Sequence, residues 1–124
     1  MAIFPKSERI QSKIVLEKVY NEGSTIKKFP YRLKYMEMDF ENQAQVQIVI
    51  SVPKRLVKKA VNRNRIRRQI KEAYRLNKSS LLSFCDKKSN GLALFLIYTG
   101  KENQSFEYLE DKLKVVLKEL ESKL

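Results

Sequence analysis

The chain has no histidine and a single cysteine, Cys85. The first absence removes the commonest general base and the commonest zinc ligand. The two together exclude a zinc site of the usual donors and a Cys–His nucleophile pair. One cysteine cannot form an internal disulfide, which fits a reducing compartment and leaves Cys85 as a small core or surface residue. No apolar run reaches about 18 residues, so no membrane span is expected. The opening MAIFPKSERI has no long apolar stretch behind its charges, so no secretory signal is expected. Glycine and proline number three each in 124 residues. Elements must therefore be long and loops few. There is no internal repeat and no low-complexity block.

What is present suits one folded domain over residues 1–124. The length allows a real core, and an apolar fraction of 43% is ordinary for a globular protein. Ser12 is placed to cap a helix over 13–22, with Gly23 at its C′ position. Val15, Leu16, Val19 and Tyr20 give that helix an apolar face. Residues 31–38 alternate, with Tyr31, Leu33 and Tyr35 one way and Arg32 and Lys34 the other, as in a strand buried on one face. A short strand near 25–28 is weakly signalled. Residues 39–45 read as a connection. Val46, Ile48, Ile50 and Val52 alternate in a further strand, which Pro53 ends. A helical pattern runs from Ala60 to Leu76, with Ile66, Ile70, Ala73 and Tyr74 in one apolar arc. Arg63 falls near that arc, which predicts a frayed first turn. Residues 86–91 read as a turn cluster, and Leu92–Tyr98 as a strand buried on both faces. Leu109, Leu113, Val116, Leu117, Leu120 and Leu124 mark an amphipathic final helix. The class is α+β, in the order α-β-β-β-α-β-α, with a four-stranded sheet and helices packed on it.

One stretch has almost no negative charge. From Lys54 to Arg75, ten basic residues face one acid, Glu72, and this segment supplies +9 of the chain's net +12. The final helix mixes its signs: Glu107, Glu110, Asp111, Glu119 and Glu121 stand against Lys112, Lys114, Lys118 and Lys123. The basic segment has no such cancellation. Arg67, Lys71 and Arg75 lie four residues apart, where like charges repel by a few tenths of a kcal/mol per pair. Asn64, Arg67, Arg68, Lys71 and Arg75 share an arc separate from the apolar one. An external polyanion is the natural complement, and arginine's planar fork suits phosphate. Asn64 adds an amide that can donate and accept at a base edge or a sugar hydroxyl. A membrane-surface helix would need large apolar residues opposite the charges. A DNA-reading helix-turn-helix would need a short helix before it, where an alternating strand stands instead.

Residues 60–68, Ala-Val-Asn-Arg-Asn-Arg-Ile-Arg-Arg, resemble the signature of the bacterial ribonuclease P protein family. Arg9-Ile10 ahead of the first helix, Tyr20 and Gly23 at its end, and Ser51-Val52 before the basic pair Lys54-Arg55 follow the same family pattern in order. The resemblance covers roughly residues 6–76; beyond them only the strand and final helix correspond. It implies a small protein that assists a catalytic RNA in the magnesium-dependent removal of the 5′ leader from precursor tRNA. On this resemblance the protein carries no catalytic residue and no metal ligand, and Mg2+ is bound mainly by the RNA. The implied partners are the ribonuclease P RNA and precursor tRNA, in the cytoplasm, with neither a membrane nor an obligate protein partner. The RNA-binding residues implied are Arg63, Asn64, Arg65, Arg67 and Arg68, with Lys54, Arg55 and Lys58 ahead of them and Lys71 one turn on. A cleft between the first helix and the sheet is implied to hold the leader, at Leu16, Tyr20, Arg32 and Lys34. Aromatics are usual in the family at the positions of Leu16 and Lys34. Leucine cannot stack on bases as they do, so a grip on phosphate by lysine is expected here. On residue type alone, Leu16 and Tyr20 also fit plain core packing. The resemblance further implies a left-handed β-α-β crossover, where general chain rules favour a right-handed one.

Two other classes remain open to the sequence. A ribosomal or other structural RNA-binding protein would share the basic helix but need no leader cleft. A stand-alone nuclease would need clustered carboxylates for metal, and the acids here lie mainly in the final helix and near 37–41.

Overall fold

The structure, a computed structural model, describes residues 9–10, 12–38, 46–88 and 91–124. Its elements are α1 (Lys13–Glu22), β1 (Ser24–Lys28), β2 (Tyr31–Met38), β3 (Val46–Ser51), α2 (Ala60–Asn77), α3 (Ser79–Lys88), β4 (Gly91–Tyr98) and α4 (Phe106–Lys123). This is the expected order, with α3 following α2 directly. The expected connection at 39–45 lies outside the described residues. So do 89 and 90 of the expected turn cluster, whose positions 86–88 instead belong to α3.

The strands form one sheet in the order β1-β2-β4-β3. β1 and β2 are an antiparallel hairpin, β2 and β4 are antiparallel, and β3 and β4 are parallel. β4 is therefore central, which explains its apolar run: both faces are covered. Leu92, Leu94, Leu96 and Tyr98 point to one face, where they join Leu33, Ile48 and Ile50 in the main core. Ile66, Ile70 and Tyr74 of α2, Leu81 and Cys85 of α3, and Leu109, Leu113 and Leu117 of α4 close that core. The buried Tyr31 hydroxyl donates to the Leu109 carbonyl at 2.8 Å, fastening α4 to the sheet. The opposite face is covered in part by α1. There Val19 and Ala93 are fully buried, with Ile10, Val15, Met36, Met38 and Phe95 packed about them. The molecule thus has three layers: α1, the sheet, and the group α2, α3 and α4.

Two local features govern how α1 sits. Ser12 caps it as expected, its hydroxyl accepting from the Val15 N–H at 3.3 Å. Gly23 ends it, but at φ −73°, in extended backbone and not in the left-handed conformation of a C′ glycine. Glycine is needed there for space. A Cβ at residue 23 would lie 2.5 Å from the Val19 carbonyl oxygen and 2.8 Å from that of Tyr35. The chain turns from α1 into β1 by pressing its backbone directly on β2.

Residues 9 and 10 run parallel to β3. Arg9 pairs with Ile48, and the Ile10 N–H donates to the Ile48 carbonyl at 3.2 Å. They cover part of the open edge of β3 and bring Arg9 close to α2.

Candidate nucleic-acid interface

The first surface is α2 with the loop before it. Val57 is fully buried and pins that loop. The Leu56 and Val57 N–H groups both donate to the Pro53 carbonyl, which folds Lys54 and Arg55 outward. Lys54, Arg55, Lys58 and Lys59 are exposed. α2 opens with no side-chain cap at Lys59 and no acid in its first turn. The positive end of the helix therefore adds to the lysines around it.

Periodicity correctly assigns the inward arc: Ile66, Ile70, Ala73 and Tyr74 are all buried. The arginines, however, divide into two groups. Arg63 is not in a frayed turn. It sits inside a regular helix, where its guanidinium donates to the carbonyls of Val57 at 3.0 Å and Lys58 at 2.7 Å. These bonds resolve its position near the apolar arc, since the side chain folds back on the preceding loop. Arg65 donates to Gln69 Oε1 at 3.2 Å and to the Glu102 carbonyl. Asn62 donates to the Glu102 carboxylate at 3.3 Å. The segment between β4 and α4 is thus tied to the start of α2.

The second group faces outward. Arg67 donates to Asn64 Oδ1 at 2.9 Å, and Arg68 is exposed with no partner among the described residues. Lys71 has its pKa held below the ordinary lysine value, by burial first and then by the charges of Arg9 and Arg67. Arg9 was not among the expected RNA-binding residues. Its place shows only once it pairs with β3. Glu72, the segment's one acid, is taken by Arg75. Asn64, Arg67, Arg68 and Lys71, with Arg9 beside them, therefore form a cationic surface suited to a phosphate backbone.

The second surface is the sheet face beside α1. Register places Lys34 between Thr25 and Phe95, and Arg32 between Lys27 and Ile97. Tyr20 reaches over this face from the last turn of α1. It is 48% exposed, and its ring lies 5.8 Å from the Phe95 ring, tilted by 47°. The Lys34 ammonium donates to the Tyr20 carbonyl at 2.9 Å and lies 5.0 Å from the Tyr20 ring centroid. Leu16, one turn earlier on α1, is half-buried. Arg32 has its Nε buried without a hydrogen-bond partner among the described residues. Tyr20 and Lys34 are thus in contact, and Arg32 lies one row further along the same face. Phe95 was missed. It stands in an apolar run whose faces cannot be told apart until the register is known. Alternation within 92–98 does set Ala93, Phe95 and Ile97 opposite the leucines.

Among the described residues, no group of three or more His, Cys, Asp or Glu side chains is placed to hold a metal ion. Among the same residues, no helix is long and apolar enough to cross a membrane. The two surfaces offer cations, amides and aromatic faces, which bind and position.

The family model described as Ribonuclease P matches residues 4–121. The ribonuclease P protein component of Porphyromonas gingivalis strain ATCC 33277 is 30% identical over 105 residues, spanning 85% of this chain and 77% of that protein. That of Chlorobaculum tepidum is 31% identical over 125 residues, spanning 94% and 81%. In fold, the chain is similar to the RNase P protein of Staphylococcus aureus, with a TM-score of 0.72, 22% identity, and coverage of 93% and 96%. It is also similar to that of Thermotoga maritima, with a TM-score of 0.64, 22% identity, and coverage of 90% and 94%.

Proposed function

Because this chain belongs to the ribonuclease P protein family and serves as the protein component of the ribonucleoprotein that processes tRNA 5′ ends, we propose a division of labour between its two surfaces. The face of α2 anchors the protein on the ribonuclease P RNA, through Asn64, Arg67, Arg68 and Lys71, with Arg9, Lys54, Arg55 and Lys58 at its margins. Arg63 and Arg65 act mainly by shaping that face, since their guanidinium groups are engaged on backbone carbonyls. The face beside α1 receives the single-stranded 5′ leader of precursor tRNA, by stacking on Tyr20 and Phe95 and by charge at Arg32. Leu16 supports Tyr20 from one turn away.

The chemistry on this reading is hydrolysis by the RNA with magnesium. The described residues offer no carboxylate cluster for the ion, so no step is assigned to a protein-bound metal. The protein works in the cytoplasm, raising affinity and placing the substrate. The observation that carries the reading is the outward face of α2, where Arg67, Arg68 and Lys71 gather with no carboxylate partner among the described residues. A structural RNA-binding protein without a catalytic partner would need no cleft, and the family match across residues 4–121 favours the ribonuclease P reading.

Reconstitution with a ribonuclease P RNA at low magnesium tests it. Adding the protein should increase cleavage of a precursor tRNA bearing a 5′ leader. No increase would overturn the assignment.

A further inference from the structure

Resting on the reading of the α1 face as the leader cleft, we propose that Lys34 is a positioning residue. Its ammonium holds the Tyr20 ring against Phe95 as a preformed platform for a leader base, and it does not serve as a phosphate ligand. This departs from the expectation that a lysine at this position contributes its charge directly to the leader.

A helix leaves its last carbonyls without intrahelical donors, and these carry the negative end of its dipole. In α1 the Val19 carbonyl is met by the Gly23 N–H at 2.9 Å. The next carbonyl, that of Tyr20, is met by the Lys34 ammonium at 2.9 Å. α1 has no basic residue of its own in its last turn. Lys34 therefore supplies from β2 the cation that the helix end lacks.

The same nitrogen lies 5.0 Å from the centroid of the Tyr20 ring, within the range of a cation–π contact. The ring is thus held from two directions, through its own backbone carbonyl and through its π face. Its third contact is Phe95, 5.8 Å away, the cross-strand neighbour of Lys34. Lys34, Tyr20 and Phe95 form a closed triangle, while about half of Tyr20 remains open to solvent. A ring fixed before the ligand arrives loses less freedom on binding. Moving Lys34 to a phosphate would break its bond to the helix end and release the ring. The next row of the same face already carries cations that can meet the backbone. Lys27 stands directly opposite Arg32, a like-charge pair that an anion would relieve.

The test uses the reconstituted holoenzyme. Affinities for precursor and mature tRNA are measured across a salt series for the parent protein, Lys34→Met, Lys34→Arg and Tyr20→Leu. Lys34→Met should weaken precursor binding about three- to fivefold, the scale of an exposed cation–π contact. The salt slope should stay that of the parent, and Lys34→Arg should restore most of the loss. A slope shallower by about 0.7, the value for one single-strand phosphate, would overturn the proposal by making Lys34 a phosphate ligand. Unchanged precursor affinity in Lys34→Met would overturn it too. Ring-proton shifts of Tyr20 give a readout independent of activity: Lys34→Met should move them toward free tyrosine values, and unmoved shifts count against the clamp. Tyr20→Leu separates the two levels. If it leaves the preference for precursor over mature tRNA intact, the cleft reading itself fails. If it lowers that preference while Lys34→Met has no effect, only the clamp fails.

Discussion

Among the arginines of α2, side-chain partners decide what charge alone cannot. Arg63, Arg65, Arg67 and Arg68 are all candidates for RNA by charge, and periodicity sets only Arg67 and Arg68 on the outward arc. Arg63 and Arg65 are bound to carbonyls of Val57, Lys58 and Glu102, whereas Arg68 is exposed. Hydrogen bonds to a charged group contribute about 1.5–3 kcal/mol, and surface substitutions away from such features stay within roughly 0.5 kcal/mol. Arg65→Met should therefore lower unfolding stability by about 1.5–3 kcal/mol in a urea titration. Arg68→Met should leave the urea midpoint nearly unchanged but make the salt slope of RNA binding shallower by roughly 0.7–0.9, the share of one phosphate. Equal effects of both variants on the slope would show that the division is not functional. The sequence could not reveal the tie at Arg65, because Glu102 lies 37 residues away. Nothing local announces that the segment after β4 returns to the start of α2.

At the level of elements, strong periodicity was enough. The alternation in 31–38 and 46–51 and the leucine stripe of α4 appear where the pattern places them, and Ser12 caps α1. α3 was not legible as a separate helix. It has ten residues, and only Lys78 parts it from α2, with no glycine or proline to mark the break. The pairing of β4 between β2 and β3 was also beyond the sequence, since periodicity fixes faces and not neighbours. Phe95 was overlooked for that reason. α4 docks through its apolar stripe, and a buried bond from the Tyr31 hydroxyl to the Leu109 carbonyl adds to that packing. Tyr31→Phe keeps the ring and removes the hydroxyl, while the Leu109 carbonyl keeps its place in the α4 ladder. Unfolding stability should fall by about 0.5–1.5 kcal/mol by thermal or urea unfolding. A loss well below this range would mean that packing alone seats α4.

Over the whole molecule, the sheet separates the two proposed duties: α2 lies on one side and α1 on the other, with Arg9 at the β3 edge between them. In the main core, burial favours the neutral phenol of Tyr31 and of Tyr98. Tyr98 is pushed up to about 12 from its ordinary value of 10.0, by burial first and then by Tyr108. Tyr31 is raised further, again by burial first. The unfolded chain loses these protons earlier, so their contribution to stability is present below about pH 10 and is lost as pH climbs toward 12. The urea midpoint should fall across that window, and Tyr98→Phe should make the fall less steep. β4 carries one more consequence. It is the last of the four described strands in chain order, yet it lies inside the sheet, and every pairing between those strands except the β1–β2 hairpin includes it. Synthesis proceeds from the N-terminus, and a lone hairpin is marginal in water. A nascent chain therefore carries its arginine-rich segment out of the ribosome before the sheet that will support it can assemble.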